Sequence, residues 1–529
     1  MRPRKNRSPT QKRNKLEYFV EQLDGIAPLP TLTSDPYCQA SDLIEELLHI
    51  VERLAVKDLP SGEFLIKAVM RLRKIGDPSA AETVARRSAL LLKKIGEGAD
   101  ASLLLSQAGL SCADQCLFDE AGGYFEKALS LIEHSDPYFL QSSVLSNYAN
   151  ALTELEQFDR AEVLYRKALK ALENVDRGRF RKARGMRREA VAGAVRNNLG
   201  WSYLRRARKS SHDKTCIARA MEVFEHALQT ELLPRTRIIA NSNLAELYLI
   251  NDETDKAEKL LVFLEEDCSD KNLKRLLPEV YRRNAQLWAA RQDVKRALLW
   301  SKKALRSSLL FINVRQELRV AEVLLDILED QMAREGRRLS TLEGSGALII
   351  TELLNLLRNK DWYTGSDHSR RVAGMCKRLA DSFRGKAKVD ATWMKQVELA
   401  GLLHDIGKLV IPWSLLNRIR PLTPRDTEQL HKHAVAGKQI LEKVGVPVLA
   451  EIVGDHHERM DGRGYPKGKK EVSLAGSIVA VSDAYEAMTS ESRKYRSPKL
   501  PAAAVKEVMS AAGSQFDPEV ARALSEVVD

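Results

Sequence analysis

A pattern of small residues repeats along roughly the first 335 residues and restricts how this part of the chain can fold. Apolar residues recur every three to four positions, which is typical of α-helices. A glycine or alanine precedes an alanine by 12 residues at Gly109 and Ala121, Ala149 and Ala161, Ala245 and Ala257, and Ala285 and Ala297. Small side chains let two helices approach closely. The pattern therefore predicts successive pairs of packed helices.

The second helix of each predicted pair carries the motif alanine, aromatic, alanine at spacings of four and three. The motif occurs as Ala121, Phe125 and Ala128, as Ala161, Tyr165 and Ala168, and as Ala220, Phe224 and Ala227. Over roughly residues 60–310 this pattern resembles tetratricopeptide repeats. The spacing between repeats is about 40 residues, against about 34 in that family, so the helices or loops should be longer, and 201–219 holds an insertion.

The resemblance to tetratricopeptide repeats implies a helical solenoid with a concave face that binds peptides or proteins. A helical scaffold without a partner is the alternative. The domain boundaries we predict are a basic, disordered arm over 1–40, repeats over 41–335, a linker over 336–345 and a second domain over 346–529.

Composition indicates the number of domains, the kind of partner and the cellular compartment to expect. The 529 residues are too many for one ordinary core. A formal net charge of +12 favours an acidic partner or an anionic substrate, or serves only solubility. Six scattered cysteines indicate a reducing compartment, and no apolar run approaches the length of a membrane span. We expect a cytoplasmic protein.

A run of basic residues raises the question of nucleic-acid binding. The segment "DRGRFRKARGMRRE", residues 176–189, carries six arginines and one lysine but a single aromatic residue, Phe180. Nucleic-acid-binding segments usually interleave aromatic side chains with the basic ones. We interpret the segment as a solvated helix between repeats and do not expect a nucleic-acid partner.

The histidines concentrate after the predicted linker. Six of the ten histidines lie between His368 and His457. In "LLHDIGKL", Lys408 follows His404 by four residues, so both should share a helical face, and Gly407 should leave room for a ligand. His433 precedes Gly437 by one helical turn. The candidate metal ligands are His368, His404, Asp405, His433, His456, His457 and Asp483.

Five imidazoles and two carboxylates exceed what a single ion needs. One metal takes about three to five such groups, so seven suit two ions, and Asp405 could bridge them with its two oxygens. Mixed imidazole and carboxylate ligands suit iron, manganese or zinc and argue against calcium. Two metals can activate a water and clamp both oxygens in a phosphate displacement.

From about residue 345 onward the chain resembles HD-GYP domains, a subfamily of the HD metal-dependent phosphohydrolases. The resemblance depends on "HSRRV", "HDIGK", "HKHAVAG", "HHERMDGRGYP", "VSDAYEAM", "RKYR" and "FDP", which occur in that order. Members of this family are all-helical and hydrolyse cyclic di-GMP, and some prefer cyclic GMP-AMP.

The resemblance implies roles for individual residues. The seven candidate ligands would bind metal, and Asp405 and Lys408 would be catalytic, with Lys408 neutralising phosphate charge or assisting the leaving oxygen. Arg493 and Arg496 would contact phosphate, although Lys494 replaces the family's usual proline. Some members carry a glutamate for a third metal where this chain has Thr364. We therefore predict two ions, iron or manganese, and leave the product open.

The loop that contains Gly464, Tyr465 and Pro466 should be stiff, because glycine permits unusual φ angles and proline fixes its own. Tyr465 would shape the site or contact the substrate. The resemblance also implies that this loop binds diguanylate cyclases, and a turn without any contact role is the alternative.

Together these features predict an all-α protein in which a tetratricopeptide-like solenoid precedes an all-helical HD-GYP domain. The predicted function is hydrolysis of cyclic di-GMP to the linear dinucleotide pGpG, GMP or both, with the repeats recruiting a protein partner. The alternatives are a catalytically weak scaffold or binding module and a phosphodiesterase for another cyclic dinucleotide, such as cyclic GMP-AMP.

Overall fold

The chain divides into two compact units, Met1–Glu317 and Leu318–Asp529. The computed structural model describes residues 18, 20–22, 34–75, 77–115, 117–132, 138–173, 188–210, 213–230, 232–270, 273–310, 323, 354–355, 357, 360–361, 367–386, 389–411, 413–417, 422–443, 446–490 and 497–528. Helices are the only regular elements in these ranges, which confirms the predicted all-α class. None of the helices described here is both long and apolar enough to cross a membrane.

The part of the first unit that the structure describes is built from α-helices that follow one another along the chain. They are α1 Ser34–Glu52, α2 Gly62–Ile75, α3 Pro78–Lys94, α4 Gly98–Asp114, α5 Phe118–Ile132, α6 Tyr138–Glu154, α7 Phe158–Glu173, α8 Arg188–Lys209, α9 Lys214–Leu228, α10 Pro234–Ile250, α11 Thr254–Asp270, α12 Leu277–Ala290 and α13 Val294–Leu310. Short 3-10 helices span Val56–Asp58 and Lys274–Leu276.

The helices of this unit pack as a repeating array. Each helix from α2 onward packs against its successor, and α1 packs against α3. In addition, α4 packs against α6, α6 against α8, α8 against α10 and α10 against α12. These first helices of the pairs are therefore neighbours along the array, as expected in a solenoid. The predicted tetratricopeptide-like arrangement is present.

The small residues act as the sequence pattern predicts. A Cβ added at Gly109 would lie 2.7 Å from the ring of Phe125, and one at Gly200 would lie 2.7 Å from the ring of Phe224. Both aromatic rings are fully buried. The insertion near Gly200 is accommodated partly by helix length, because α8 has 22 residues where α6 has 17.

The second unit is a bundle in which the ends of several helices meet. Its helices are α14 His368–Ser382, α15 Ala391–Leu403, α16 Trp413–Leu416, α17 Pro424–Lys443, α18 Pro447–Asp455, α19 Leu474–Thr489, α20 Pro501–Ser510 and α21 Pro518–Val528, with a 3-10 helix at Ile406–Val410. Helix α14 packs against α15 and α19, and α17 packs against α18 and the 3-10 helix. These contacts bring the histidine-bearing segments together.

Several predicted features lie outside the described residues. They are most of the arm over 1–40, the arginine-rich segment up to residue 187, the linker 336–345, Thr364, and the block that contains Arg493, Lys494 and Arg496.

Candidate metal centre

The seven predicted ligands come from five helices of the second unit, most of them at helix ends. His368 is the first residue of α14, His404 and Asp405 directly follow α15, and His456 and His457 directly follow α18. His433 lies within α17 and Asp483 within α19. A residue just beyond a helix end can turn its side chain away from the helix flank. The ends that converge here therefore supply ligands from different directions.

Six of the seven residues form two groups of three. His433, His456 and His457 form one triad, and His368, His404 and Asp483 form the other. Within each triad one potential ligand atom per residue lies within 4.8 Å of the others. Each triad therefore has the number of protein ligands expected for a catalytic metal with open positions.

Asp405 lies between the two triads. Its Oδ2 is 3.2 Å from Nε2 of His404 and 3.6 Å from Nε2 of His368, whereas its Oδ1 is 3.6 Å from Nε2 of His433. The two oxygens of one carboxylate thus approach different triads. This is the arrangement that a bridging ligand requires.

Backbone carbonyls determine which ring nitrogen faces the centre in three of the histidines. In each, Nδ1 lies within hydrogen-bond distance of the carbonyl oxygen three residues earlier. A carbonyl can only accept, so Nδ1 carries the proton, and Nε2 of the neutral ring keeps a free lone pair. The pairs are His404 with Gly401 at 2.8 Å, His433 with Leu430 at 2.7 Å and His456 with Val453 at 2.5 Å.

The resulting lone pairs are badly placed unless a cation lies among them. Nε2 of His433 is 3.3 Å from Nε2 of His456, so two acceptors face each other. The Nε2 atoms of His368 and His404 are buried without a hydrogen-bond partner. Buried polar atoms without partners are costly. The side chains present therefore fit bound metal ions.

Protonation favours metal binding in the first triad. Burial lowers the pKa of His433 and His457, and it lowers the pKa of His456 to about 3. These rings are therefore neutral near pH 7, which is the form that binds metals. The carboxylates of Asp405 and Asp483 are ionised. Although burial opposes their charge, Lys408 and His404 hold the pKa of Asp405, and His368 and His404 that of Asp483, well below the usual range.

His368 behaves differently. Burial opposes its charged form, yet the neighbouring carboxylates of Asp483 and Glu486 raise its pKa to about 9. Its Nδ1 makes a short hydrogen bond to Oε2 of Glu486. The sequence prediction did not include Glu486, although its position three residues after Asp483 places both on one helical face and was an available signal.

Lys408 is placed by a different geometry from the one predicted. Helix α15 ends at Leu403 and a 3-10 helix follows, so Lys408 does not share an α-helical face with His404. Its Nζ lies 2.7 Å from Oδ2 of Asp405 and 3.0 Å from Oδ2 of Asp361. These carboxylates raise its pKa against the effect of burial, so it stays charged. Asp361 was also missed.

Gly407 is needed by the backbone rather than by a ligand. A Cβ at this position would lie 1.9 Å from the carbonyl oxygen of His433 and 2.4 Å from the backbone nitrogen of Gly437. The 3-10 helix and α17 therefore touch through their backbones. The expectation that Gly407 leaves space for a ligand is wrong, because α17 fills that space.

Tyr465 covers one wall of the centre. Its ring stacks on that of His431, with centroids 3.7 Å apart and planes 9° apart. The ring of His457 is also close to it, with centroids 4.6 Å apart. Burial raises the pKa of Tyr465, so its hydroxyl stays protonated. The sequence prediction had set His431 apart from the site, and the structure places it in this stack.

The loop that carries Tyr465 is tied down at both ends. Glu458 is buried and its carboxylate accepts hydrogen bonds from the backbone N–H of Lys467 at 2.7 Å and of Lys469 at 2.8 Å. Gly462 has a φ of +75°, as expected of a glycine in a tight turn. Glycine is needed at position 464 for a different reason. A Cβ there would lie within 2.5–2.6 Å of backbone atoms of residues 457–459.

We expect Tyr465→Ala to weaken metal binding about 3- to 10-fold, whereas Tyr465→Phe should leave it nearly unchanged. Ring contacts of this kind contribute about 0.5–1.5 kcal/mol, and phenylalanine preserves them. Titration of both metal-free variants with Mn²⁺ would measure the effect. A raised KM in Tyr465→Phe at normal metal content would instead indicate that the hydroxyl contacts the substrate.

Comparison with known proteins agrees with this geometry. Residues 322–520 match the HD domain family, and residues 100–174 match the tetratricopeptide repeat family. Over these residues the predicted resemblances to an HD domain and to tetratricopeptide repeats are confirmed.

Three curated relatives are each similar to part of this chain. A cyclic di-GMP phosphodiesterase of Thermotoga maritima is 38% identical over 179 residues, covering 33% of this chain and 47% of that protein. A 3'3'-cGAMP-specific phosphodiesterase of Vibrio cholerae is 30% identical, covering 41% and 42%. A probable cyclic di-GMP phosphodiesterase of the same organism is 31% identical, covering 39% and 49%. The chain thus spans less than half the length of each of these relatives.

Proposed function

We propose that this chain, in which tetratricopeptide repeats precede an HD domain, is a metal-dependent phosphodiesterase that hydrolyses cyclic di-GMP. The observation that carries the proposal is the pair of ligand triads with the carboxylate of Asp405 between them. Relatives that bear this activity in their names support the choice of substrate.

The proposed site holds two divalent ions, iron or manganese, on the five histidines, Asp405 and Asp483. When bound, such ions polarise a phosphodiester and activate a water for attack. Lys408 orients Asp405 through its 2.7 Å contact and keeps a positive charge beside the site. Its 3.0 Å contact with Asp361 holds the ammonium in place. Because burial lowers the pKa of His433, His456 and His457, these three imidazoles stay neutral. Asp405 and Asp483 supply the negative charge of the proposed ligand set.

The cationic centre suits an anionic substrate. Cyclic di-GMP carries two phosphodiesters, and a +12 net charge on the chain favours the approach of such a dianion. We propose that Arg493 and Arg496 contact its phosphates, as the family motif implies. Hydrolysis of one ring bond would give pGpG, and a second cleavage would give GMP.

A second cyclic dinucleotide is the competing substrate. One matched relative is named for 3'3'-cGAMP rather than cyclic di-GMP. Both molecules present two phosphodiesters in a ring and differ in one base. The proposed metal ligands would serve either substrate, so the choice between the two has to come from an assay with both.

The test is anaerobic purification followed by quantification of iron, manganese and zinc and by incubation with each dinucleotide. We expect hydrolysis of cyclic di-GMP by the unchanged chain, with about two metals bound, and none by the His404→Ala/Asp405→Ala double variant. Preferential hydrolysis of 3'3'-cGAMP would mean that this dinucleotide, and not cyclic di-GMP, is the substrate. No turnover of either substrate with any of the three metals would replace the proposal by a scaffold role.

We propose that the repeats bind a protein partner in the cytoplasm and place the phosphodiesterase beside it. The contacts that link α4, α6, α8, α10 and α12 in succession support such a surface. The loop that contains Gly464, Tyr465 and Pro466 is a second candidate contact, for which a diguanylate cyclase is the proposed partner. Co-purification with and without residues 1–317 would separate the two surfaces.

A further inference from the structure

The Nδ1 atom of His368 has a different kind of hydrogen-bond partner from the Nδ1 atoms of three other site histidines. His404, His433 and His456 each donate Nδ1–H to the carbonyl three residues earlier, which belongs to the same helix. His368 is the first residue of α14. Its Nδ1 bonds instead to a group from another helix, the carboxylate of Glu486 in α19.

Glu486 is itself held in position. Its side chain is buried, and its Oε1 accepts a hydrogen bond from Nε of Arg371 at 2.7 Å. The guanidinium of Arg371 also donates to the hydroxyl of Ser490 at 3.1 Å. Arg371 lies one turn after His368 in α14, so the ion pair ties the start of α14 to α19.

The two carboxylates of α19 flank the His368 ring. Glu486 Oε2 bonds Nδ1 on one side, while Asp483 Oδ1 lies 3.3 Å from Nε2 on the other. Asp483 and Glu486 are three residues apart and share one helical face. A rotation of α19 or of the ring would disturb both contacts at once.

We propose that Glu486 is a positioning residue that sets the tautomer and orientation of His368 for metal binding, and that Arg371 holds Glu486 in place. A carboxylate on the far nitrogen of a ligating histidine makes the near nitrogen a stronger donor, and loss of such a partner typically weakens metal affinity 10- to 100-fold. The inference rests on the proposed metal site but not on its substrate.

The test uses Glu486→Gln in the full chain. Glutamine keeps the size of the side chain and an oxygen acceptor but removes the charge. We expect Mn²⁺ affinity, measured by titration of metal-free protein, to fall about 10- to 100-fold. The visible absorption bands of the Co²⁺-loaded variant should shift, because a weaker His368 donor changes the ligand field. The unfolding temperature of the metal-free chain should stay close to that of the unchanged protein.

Arg371→Met is the second variant and decides the outcome if Glu486→Gln does not fold. Arg371 is 46% exposed, so its loss should leave the fold intact. We expect a smaller fall in Mn²⁺ affinity in the same direction. The matched controls are Arg384→Met, which removes another arginine–carboxylate pair near the end of α14, and Glu451→Gln, which removes an ion pair with Lys438. Neither control should change metal affinity.

Unchanged Mn²⁺ affinity and unchanged Co²⁺ bands in both variants would overturn the inference. A loss of stability alone would then make the Arg371–Glu486 pair a brace between α14 and α19. These readouts do not depend on turnover. If the unchanged chain binds metal but hydrolyses no cyclic dinucleotide, the proposed function fails while the positioning role can still be measured. If the unchanged chain binds no metal, both fail together.

Discussion

Replacement of Asp405 by asparagine is expected to lower hydrolysis of cyclic di-GMP by about 10³-fold or more. Loss of a single electrostatic group at a reacting centre typically costs about 10²–10³-fold in rate, and Asp405 would serve two metal sites. We also expect the metal content to fall from about two ions to about one or fewer.

The physical reason is that the two carboxylate oxygens of Asp405 approach different histidines. Oδ2 approaches His404 and His368, and Oδ1 approaches His433. Asparagine keeps the shape but replaces one oxygen by an NH2 group, which donates hydrogen bonds and cannot bind a cation. One triad must therefore lose its shared ligand, whichever way the amide is oriented.

Metal analysis and a cyclic di-GMP assay on the same preparation would measure both effects. Circular dichroism should show an intact fold, because Lys408 keeps its 3.0 Å contact with Asp361. The matched control is Asp381→Asn, an exposed carboxylate in α14 that pairs with Arg384. Retention of about two metals with activity within tenfold of the unchanged chain would exclude a bridging role for Asp405.

Replacement of Gly407 by alanine is expected to destabilise the second unit by about 3 kcal/mol or more, because overpacking against a rigid neighbour costs about 1–3 kcal/mol and occasionally more. The added Cβ would lie 1.9 Å from the carbonyl oxygen of His433. Backbone atoms of α17 cannot turn aside as a flexible side chain can. Separation of the two segments would also pull His404 and Asp405 away from His433, so metal binding should fall as well.

Gly374→Ala provides the control for the alanine substitution. Gly374 lies in the exposed face of α14, and an added Cβ there meets no atom within 4 Å. Alanine in a helix interior is favoured over glycine by about 0.8–1.0 kcal/mol, so this variant should be slightly more stable. Chemical unfolding of both variants would compare them. Equal stability of Gly407→Ala and the unchanged chain would contradict the backbone contact between the 3-10 helix and α17.

The cluster of candidate ligands was predictable from sequence because five of its seven members are histidines, a rare residue type in this chain. His404 with Asp405, His456 with His457, and the isolated His368, His433 and Asp483 were all named from sequence, and the structure brings them together. Metal ligands need particular side chains, so the residue types alone carry information.

The partners of these ligands were not predictable in the same way. Glu486 and Arg371 lie 115 residues apart, and Lys408 and Asp361 lie 47 apart. Glutamate, arginine and lysine are common on helix surfaces. Their residue types therefore do not indicate which of them will pair once the helices pack together. The close backbone contact at Gly407 was not predicted either, because the atoms that a side chain there would meet belong to α17.

In the repeat unit, by contrast, contacts between residues were predictable from sequence. Gly109 was paired by spacing with Ala121 of the next helix, and the structure places Gly109 against Phe125 of that helix. Gly200 lies against Phe224 in the same way. These contacts occur within single helix pairs, where sequence separation and spatial separation are linked. The insertion before Ala220 was recognised, but its partial absorption into a longer α8 depends on how that helix packs against its neighbours.

The hydrogen bonds from His404, His433 and His456 to their own helices have a consequence for how the protein acquires its metal. Each of these bonds forms when the helix forms, so the donor atoms are already aimed before any ion arrives. A centre that needs little rearrangement offers few means of rejecting an unsuitable ion, and affinity for such ligands follows the general order of the divalent metals. We therefore expect the ion found in the isolated protein to reflect which metals the host cell supplies during synthesis.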